Sequence, residues 1–307
     1  MSTEFAHLTL RHHRLIAAIA RHGQISTAAH HLAMTQPAAS RSLAEVERIL
    51  DVPIFERHPK GMTPTPVGQV VVRHANILLG GLDLATEELA AFRDGHSGTV
   101  RVGAVTGAAV GFLVPAIREL KRLSTRADIR VQVAPSVDLM DALLLGELDF
   151  VLCRVPPEVD ASQLRVLRGR VEHLSLLVRA GHPHCGTANL GLGALQDHTW
   201  IVQQRGMPLR EAIEQRHLLP GLRTPHDLIE SSSLLLTIAY LMSSDAVSPV
   251  AHEVSELLTR THPGALSTLD MQDRTTLSPY YLIHRKHHPM SPLAKRFLAL
   301  VLDRMTA

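Results

Sequence analysis

The sequence lacks the features of secreted, membrane-spanning and disulfide-stabilised proteins. Among its 307 residues only Cys153 and Cys185 are cysteines, which is typical of a reducing compartment. The longest apolar run, at 234–242, is much shorter than the roughly 20 residues that a membrane helix needs. The first residues show no basic segment followed by an apolar one, as a secretion signal would. We therefore expect a cytoplasmic protein that does not contact a membrane.

The sequence also lacks the motifs of common enzyme classes. It has neither a Gly-x-Ser-x-Gly nucleophile motif nor a Gly-rich phosphate-binding loop ending in Gly-Lys. His182, His184 and Cys185 have a spacing that a soft metal accepts, but no second ligand pair follows at the spacing of a metal site. We expect neither an enzyme nor a bound metal or other cofactor. A redox switch at Cys153 or Cys185 is the remaining alternative for the two cysteines.

The small excess of positive charge is confined to the start of the chain. Residues 1–66 contain seven of the 31 Arg and Lys residues and five of the 29 Asp and Glu residues, so the remainder of the chain is balanced. Seven of the 20 histidines also lie in this first segment. The asymmetry favours an N-terminal module that binds a polyanion such as nucleic acid.

The first 50 residues have the spacing of three short helices. Gly23 ends the first helix, and Ser26 is predicted to cap a second helix over Thr27–Leu32. Thr35 is predicted to cap the third helix, with Pro37 in its first turn. The outer face of this third helix carries three polar side chains, Gln36, Ser40 and Arg41. A helix pair with a tight turn and such a polar face predicts a helix-turn-helix.

Two further elements follow the helix pair. Residues 55–63 have the pattern of two short strands around a Pro-Lys-Gly turn, which is typical of a wing. From Pro66 a long helix is predicted to residue 94, with Gly80 and Gly81 near its middle. Its apolar residues keep a heptad spacing: Val71, Ala75, Leu78, Leu82, Ala85, Leu89 and Phe92. This pattern favours a coiled coil and hence a dimer, the alternative being an amphipathic helix packed on its own domain.

Strands and helices alternate after a short linker at 94–98. The first three predicted strands span 99–105, 129–134 and 150–154. Helices are predicted between them at 113–123 and 139–145. Later strands are predicted at 174–178 and 199–202, and later helices at 209–216, 234–242 and 292–305. The β-α-β-α-β order predicts a largely parallel sheet in an α/β domain.

The helix-turn-helix segment resembles the signature of the LysR-type transcriptional regulators. The residues that carry the resemblance are Gln24-Ile-Ser-Thr-Ala-Ala-His-His-Leu-Ala-Met-Thr-Gln-Pro-Ala-Ala-Ser-Arg-Ser-Leu-Ala-Glu-Val-Glu, with Leu50–Arg57 and Met62–Gly68 similar to the family's wing and linker. The resemblance covers the whole chain. It implies a winged helix-turn-helix domain at 8–66, a linker and dimerisation helix at 67–94, and a two-lobed α/β effector domain of the periplasmic-binding type II kind at 98–307. Lobe I would comprise 98–168 and 268–307, and lobe II 169–267.

The resemblance implies which residues contact DNA. The third helix becomes the recognition helix, whose start and outer face would lie in the major groove, and the second helix and wing would lie against phosphates or the minor groove. Glutamine suits adenine and arginine suits guanine, so the side chains fit base recognition. The alternative for each residue is a solvated surface position. The candidate DNA contacts are Ser26, Thr27, Thr35, Gln36, Pro37, Ser40, Arg41, His58 and Lys60.

The family binds its effector in the cleft between the lobes, which implies contacts at the ends of strands. Helices that follow the strands would present free N–H groups to an anionic or hydroxylated ligand, and Arg154 would pair with a carboxylate. The alternative for the serines is an ordinary helix cap. The candidate effector contacts are Thr106, Ala108, Ser136, Arg154, Gln204, Ser231 and Ser232.

Two further segments narrow the resemblance within the family. Val131–Met140 and Arg154–Pro157 are similar to the branch of regulators related to galactose-binding-protein control and protocatechuate catabolism. This implies a sugar, a sugar acid or an aromatic carboxylate as effector. The family also implies dimers that pair into a tetramer on a double-stranded operator, and an effect on RNA polymerase.

Two other classes of protein fit only part of the sequence. A solute-binding protein for transport would use the α/β region without a helix-turn-helix, and an architectural DNA-binding protein would not need the α/β region. We therefore expect a transcriptional regulator.

Overall fold

The computed structural model describes residues 5–59, 61–94, 98–218, 225, 227–261, 263–286 and 288–306. Its first part is a three-helix domain formed by α1 (Leu10–His22), α2 (Ile25–His31) and α3 (Gln36–Leu50), after a 3-10 turn at Phe5–His7. The helices bury a common apolar core that includes Leu15, Ile19, Ala28, Ala39 and Leu43. The predicted helix-turn-helix is therefore present.

The caps of these helices differ in part from the prediction. Thr35 caps α3, because its hydroxyl accepts a hydrogen bond from the Ala38 N–H at 3.4 Å, and Pro37 lies in the first turn as expected. The predicted Ser26 cap is wrong, since α2 starts at Ile25 and Gln24 occupies the cap position. Ser26 is thus inside the helix and exposed.

A two-stranded wing and a long helix complete this part of the chain. Strands β1 (Phe55–His58) and β2 (Gly61–Pro64) are antiparallel, and α4 spans Pro66–Asp94. Early in α4, Val71 and Ala75 are buried in the core of the helix-turn-helix domain. Further along, Leu78, Leu82 and Leu89 are 46%, 47% and 65% exposed. The apolar heptad positions of α4 thus fall into two groups. Those near its start pack on the helix-turn-helix domain, and those further along are exposed to solvent.

Lobe I is built on three parallel strands. Strands β3 (Thr99–Ala104), β4 (Asp128–Val133) and β5 (Phe150–Cys153) lie in the order β5-β3-β4. The short helix α5 (Thr106–Ala108) continues through a π-helical turn at Ala109–Leu113 into α6 (Val114–Leu123), and α7 (Ser136–Leu145) connects β4 to β5. The C-terminal helix α11 (Pro292–Thr306) packs beside α6 on this sheet. These three strands are parallel as predicted, but the sheet as a whole is not largely parallel, because every strand that joins it beyond β5 pairs antiparallel.

Two long antiparallel strands join lobe I to lobe II. Strand β6 (Leu164–Arg179) leads into lobe II, and β11 (Thr275–Arg285) returns beside it and pairs with β5. The sequence analysis predicted only residues 174–178 of β6, because residues 165–173 contain five charged or histidine side chains and a glycine and no continuous apolar run. Strand β11 was not predicted.

Lobe II surrounds the far half of β6. Strands β9 (Ser248–Ala251) and β10 (Leu266–Thr268) pair with β6, while β7 (Trp200–Val202) and β8 (Leu228–Glu230) form a parallel pair. The helices here are α8 (Pro208–Leu218), α9 (Leu234–Met242) and α10 (His252–Thr261), with a 3-10 turn at Leu192–Leu195; another 3-10 turn, Ala161–Gln163, precedes β6 in lobe I. None of the described helices is both long and apolar enough to cross a bilayer.

Candidate DNA-binding surface and effector site

One face of α3 is open to solvent. Ala39, Leu43 and Val46 point into the core, whereas the opposite side of the helix is open to solvent. Thr35, Gln36, Pro37 and Arg41 are exposed and Ser40 is half-buried, so the structure brings these five candidate residues to one surface.

The remaining candidate DNA contacts lie on α2 and the wing. Ser26 is exposed, and the Thr27 hydroxyl donates a hydrogen bond to Gln24 Oε1 at 3.4 Å. On β1, His58 Nε2 lies 3.0 Å from Thr63 Oγ1, which fixes its ring along the wing. Lys60 lies outside the described residues.

Three candidate effector contacts meet at one edge of the lobe I sheet. Thr106, Ser136 and Arg154 follow β3, β4 and β5, whose carboxyl ends are adjacent because the strands are parallel. The Ser136 hydroxyl accepts a hydrogen bond from the Arg154 N–H at 3.1 Å. The Ala108 methyl group is fully buried in the lobe I core, so a ligand contact at this residue would have to come from its backbone.

The Arg154 side chain already has partners within the protein. Its guanidinium forms an ion pair with Glu172 of β6, and its Nε donates to the Ser278 carbonyl oxygen at 3.0 Å. Glu172 is 4% exposed. Burial raises the pKa of the Glu172 carboxyl and the charge of Arg154 opposes that shift. Arg154 is therefore not a free cation.

A second carboxylate faces the same position. An added Cβ at Gly107 would lie 2.5 Å from Glu172 Oε1 and 3.3 Å from Glu253 Oε2, so α5 approaches both acids as only glycine allows. Glu253 Oε2 and the Tyr280 hydroxyl are buried with no hydrogen-bond partner among the described residues. Burial, reinforced by Glu253 and Glu172, raises the pKa of Tyr280. The sequence indicated none of these three side chains.

The candidates of lobe II lie at the ends of β7 and β8. The Ser231 N–H donates to the Val202 carbonyl oxygen at 2.9 Å, and its hydroxyl accepts from the Ser233 N–H at 3.1 Å. Ser233, and not Ser231 or Ser232, caps α9. Gln204 and Ser232 are exposed. The structure thus places these residues at one edge of lobe II, where the N–H and the hydroxyl of Ser231 already form hydrogen bonds within the lobe.

The cysteine and histidine candidates are occupied or buried. Cys153 is fully buried, and this burial raises the pKa of its thiol to about 12. His182 Nδ1 accepts from the His184 N–H at 3.2 Å, and Nε2 lies 3.2 Å from the Asp245 carbonyl oxygen, so both ring nitrogens are engaged. No group of three or more His, Cys, Asp or Glu residues in the described part of the chain is arranged to hold a metal ion.

Comparison with known families accounts for both parts of the chain. Residues 10–69 match the bacterial regulatory helix-turn-helix protein family of the lysR type, and residues 93–306 match the LysR substrate binding domain. The chain belongs to the LysR family. It is therefore a LysR-type transcriptional regulator, with a DNA-binding domain and an effector-binding domain, and not an enzyme. Regulators of this family bind DNA and small-molecule effectors and oligomerise.

Relatives of this LysR-type regulator match it over most of their length. The HTH-type transcriptional regulator GbpR of Azospirillum brasilense is 36% identical over 96% of this chain and 86% of its own. The regulator GalR of Pseudomonas putida is 28% identical over 93% of this chain and 71% of its own. Among solved structures, full-length OxyR from Pseudomonas aeruginosa has a TM-score of 0.67 at 22% identity, covering 97% of this chain and 95% of its own. The fold is shared along the whole chain.

Proposed function

We propose that this LysR-type regulator recognises its operator through the open face of α3 and controls transcription in response to a neutral sugar between its lobes. In this proposal the domains span 8–66, 67–94 and 98–307, with lobe I at 98–168 and 268–307 and lobe II at 169–267. Operator contacts come from the recognition helix, α2 and the wing: Ser26, Thr27, Thr35, Gln36, Pro37, Ser40, Arg41, His58 and Lys60.

The Arg154–Glu172 ion pair is the observation that favours a neutral effector over an anionic one. A sugar acid or an aromatic carboxylate would have to displace Glu172 from Arg154, and breaking a buried pair costs about 3–5 kcal/mol when one partner is left alone. Glu253 adds a second negative charge beside Gly107 and repels an anion further. Hydroxyl groups of a sugar donate hydrogen bonds to carboxylates, so the same residues suit a neutral polyhydroxyl ligand.

Polar residues on the two sheet edges would complete the ligand site. Thr106 and Ser136 lie on the lobe I edge, where Ser136 contacts Arg154, and Gln204, Ser231 and Ser232 lie on lobe II. Hydroxyl and amide groups both donate and accept hydrogen bonds, as recognition of a sugar requires. Closure of the lobes on the ligand would change the arrangement of the DNA-binding domains and thereby contact with RNA polymerase.

Two separate apolar surfaces support a dimer that pairs into a tetramer. The first is the open stripe of α4 at Leu78, Leu82 and Leu89. The second is on lobe II, where Leu235 and Met242 of α9 are 77% and 56% exposed. Large exposed apolar patches mark interaction sites, and two different patches allow two kinds of interface. An operator-bound tetramer would act at the nucleoid in the cytoplasm.

A thermal-shift comparison of matched ligands tests the effector class. D-galactose and D-glucose are compared with D-galacturonate and D-glucuronate, which differ from them by one carboxylate, and with protocatechuate. A ligand at 100 times its dissociation constant adds about 2.7 kcal/mol to the free energy of unfolding, enough to raise Tm by a few degrees. We expect a shift with a neutral sugar. A larger shift with an acid than with its neutral partner would refute the proposal.

A further inference from the structure

Helix α7 extends from the effector site to the DNA-binding domain. It begins at Ser136, whose hydroxyl accepts from the Arg154 N–H at 3.1 Å. Its ten residues cover about 15 Å, at 1.5 Å per residue. At its far end Glu147 forms an ion pair with Arg21 of α1, with Oε1 and Nε 2.9 Å apart. The helix and the two residues that follow it therefore contact both functional parts of the chain.

The far end of α7 moves with the helix because its backbone is tied to the last turn. Gly146 has a φ of +84°, and the Glu147 N–H donates to the Ala142 carbonyl oxygen at 2.9 Å. The Arg285 guanidinium packs where a Cβ on Gly146 would lie. Along the helix, Leu139 and Leu143 are fully buried. A close-packed, capped helix of this kind shifts as a unit.

The receiving end is part of the recognition unit. Arg21 lies in the last turn of α1, and α1 shares its core with α3 through Leu15, Ile19 and Leu43. A cavity of about 800 Å³ remains between α1, α4 and lobe I beside this ion pair. The Glu147–Arg21 ion pair thus lies at the edge of a cavity that separates part of the DNA-binding domain from lobe I.

We propose that α7 transmits a change at the effector site to the DNA-binding domain through the Glu147–Arg21 ion pair. A ligand that contacts Ser136 shifts the start of the helix, and the rigid helix carries the shift to Glu147. Arg21 is exposed and Glu147 is half-buried, so the pair is partly screened by water and adds little stability; its proposed role is to set the position of α1. The inference rests on the proposed effector site but not on which ligand it holds.

A double-mutant cycle between the two ends of α7 tests this coupling without an effector. Ser136→Ala removes the acceptor at the start of the helix, and Glu147→Gln removes the ion pair at its end. The Kd of the full-length protein is measured by fluorescence anisotropy on a duplex that the native protein has selected from a random pool. Changes at sites this far apart are normally additive to within about twofold.

We expect Ser136→Ala to change the Kd about fivefold, a typical coupling between distant sites, and less than about twofold when Glu147→Gln is present. Arg21→Gln should abolish the effect in the same way. The matched control is Glu119→Gln, since Glu119 pairs with Arg304 at 2.6 Å and both residues belong to lobe I. An equal effect of Ser136→Ala in all backgrounds, or none in the native one, overturns the proposal. The sugar comparison can fail independently of this result.

Discussion

Arg154 and Glu172 form a buried ion pair at the edge of the lobe I sheet, where β5 ends and β6 passes towards lobe II. Their side chains are 13% and 6% exposed, so water screens the pair little. Burial raises the pKa of Glu172, and Arg154 acts in the opposite direction. Glu172 thus occupies the position beside Arg154 that the sequence analysis assigned to the carboxylate of a ligand.

Removing the Glu172 charge should change which ligands bind. In Glu172→Gln the Arg154 guanidinium loses its ionic partner and becomes available to a ligand carboxylate. We expect D-galacturonate to gain about tenfold in affinity relative to D-galactose, since a hydrogen bond to a charged group contributes about 1.5–3 kcal/mol. Isothermal titration of both ligands measures the ratio. Glu256→Gln, an exposed position on α10, is the control, and an unchanged ratio in Glu172→Gln would contradict the role of the pair.

Arg41→Ala should reduce operator affinity far more than affinity for random DNA. Arg41 lies on the open face of α3 and has the geometry for two hydrogen bonds to guanine, each such contact contributing about 1–3 kcal/mol of discrimination. Anisotropy titrations on the selected operator and a random duplex at one salt concentration give the two losses. Arg48→Ala removes an exposed arginine from the last turn of α3 and should affect both duplexes alike. Equal losses in Arg41→Ala would exclude base recognition.

Charges placed on the two apolar surfaces should separate the two association steps. Leu82→Glu puts a carboxylate into the open stripe of α4, and we expect it to give monomers at micromolar concentration. Leu235→Glu changes the exposed face of α9 and should leave dimers intact while removing tetramers. Sedimentation velocity measures both, and circular dichroism checks that each variant folds. Tetramers in both variants would place the interfaces elsewhere.

The helix-turn-helix was predictable because its signals are local. Capping by Thr35 and the spacing of Ala39, Leu43 and Val46 lie within one helix, and the structure has both. The Ser26 cap was wrong for an equally local reason: the helix begins at Ile25, so its cap is Gln24, two residues earlier than predicted. Strand ends at Thr106, Ser136 and Arg154 followed from the order of elements.

The acids of the effector site were not predictable, because they reach it from distant positions in the chain. Glu172 lies in the part of β6 that is rich in charged side chains, which in a sequence is typical of a solvent-exposed segment. Glu253 lies in the first turn of α10, about 100 residues after Arg154, and only the fold brings it to Gly107. The spacing of apolar residues indicates which face of a helix or strand is buried, but it does not indicate which charged side chains come together between the two lobes.

The free energy of unfolding should fall as the pH is lowered from about 6.5 to about 4, with His288 as a main contributor. Burial and the nearby charge of Arg285 lower the pKa of His288 to about 4, against an ordinary value of 6.5. Between these values the unfolded chain binds a proton at His288 that the folded chain does not. The contribution of His288 to the free energy of unfolding therefore increases with pH across this window and is constant above and below it.

Replacing this imidazole isolates its share of the pH dependence. His288→Gln should flatten the dependence of Tm on pH between 4.5 and 6.5, measured by scanning calorimetry in buffers of equal ionic strength. Burial also lowers the pKa values of His13 and His182, so part of the slope remains in the variant. His173→Gln removes an exposed histidine and controls for the change in composition. Equal slopes in the native protein and in His288→Gln would show that His288 is protonated to the same degree in the folded and unfolded chains.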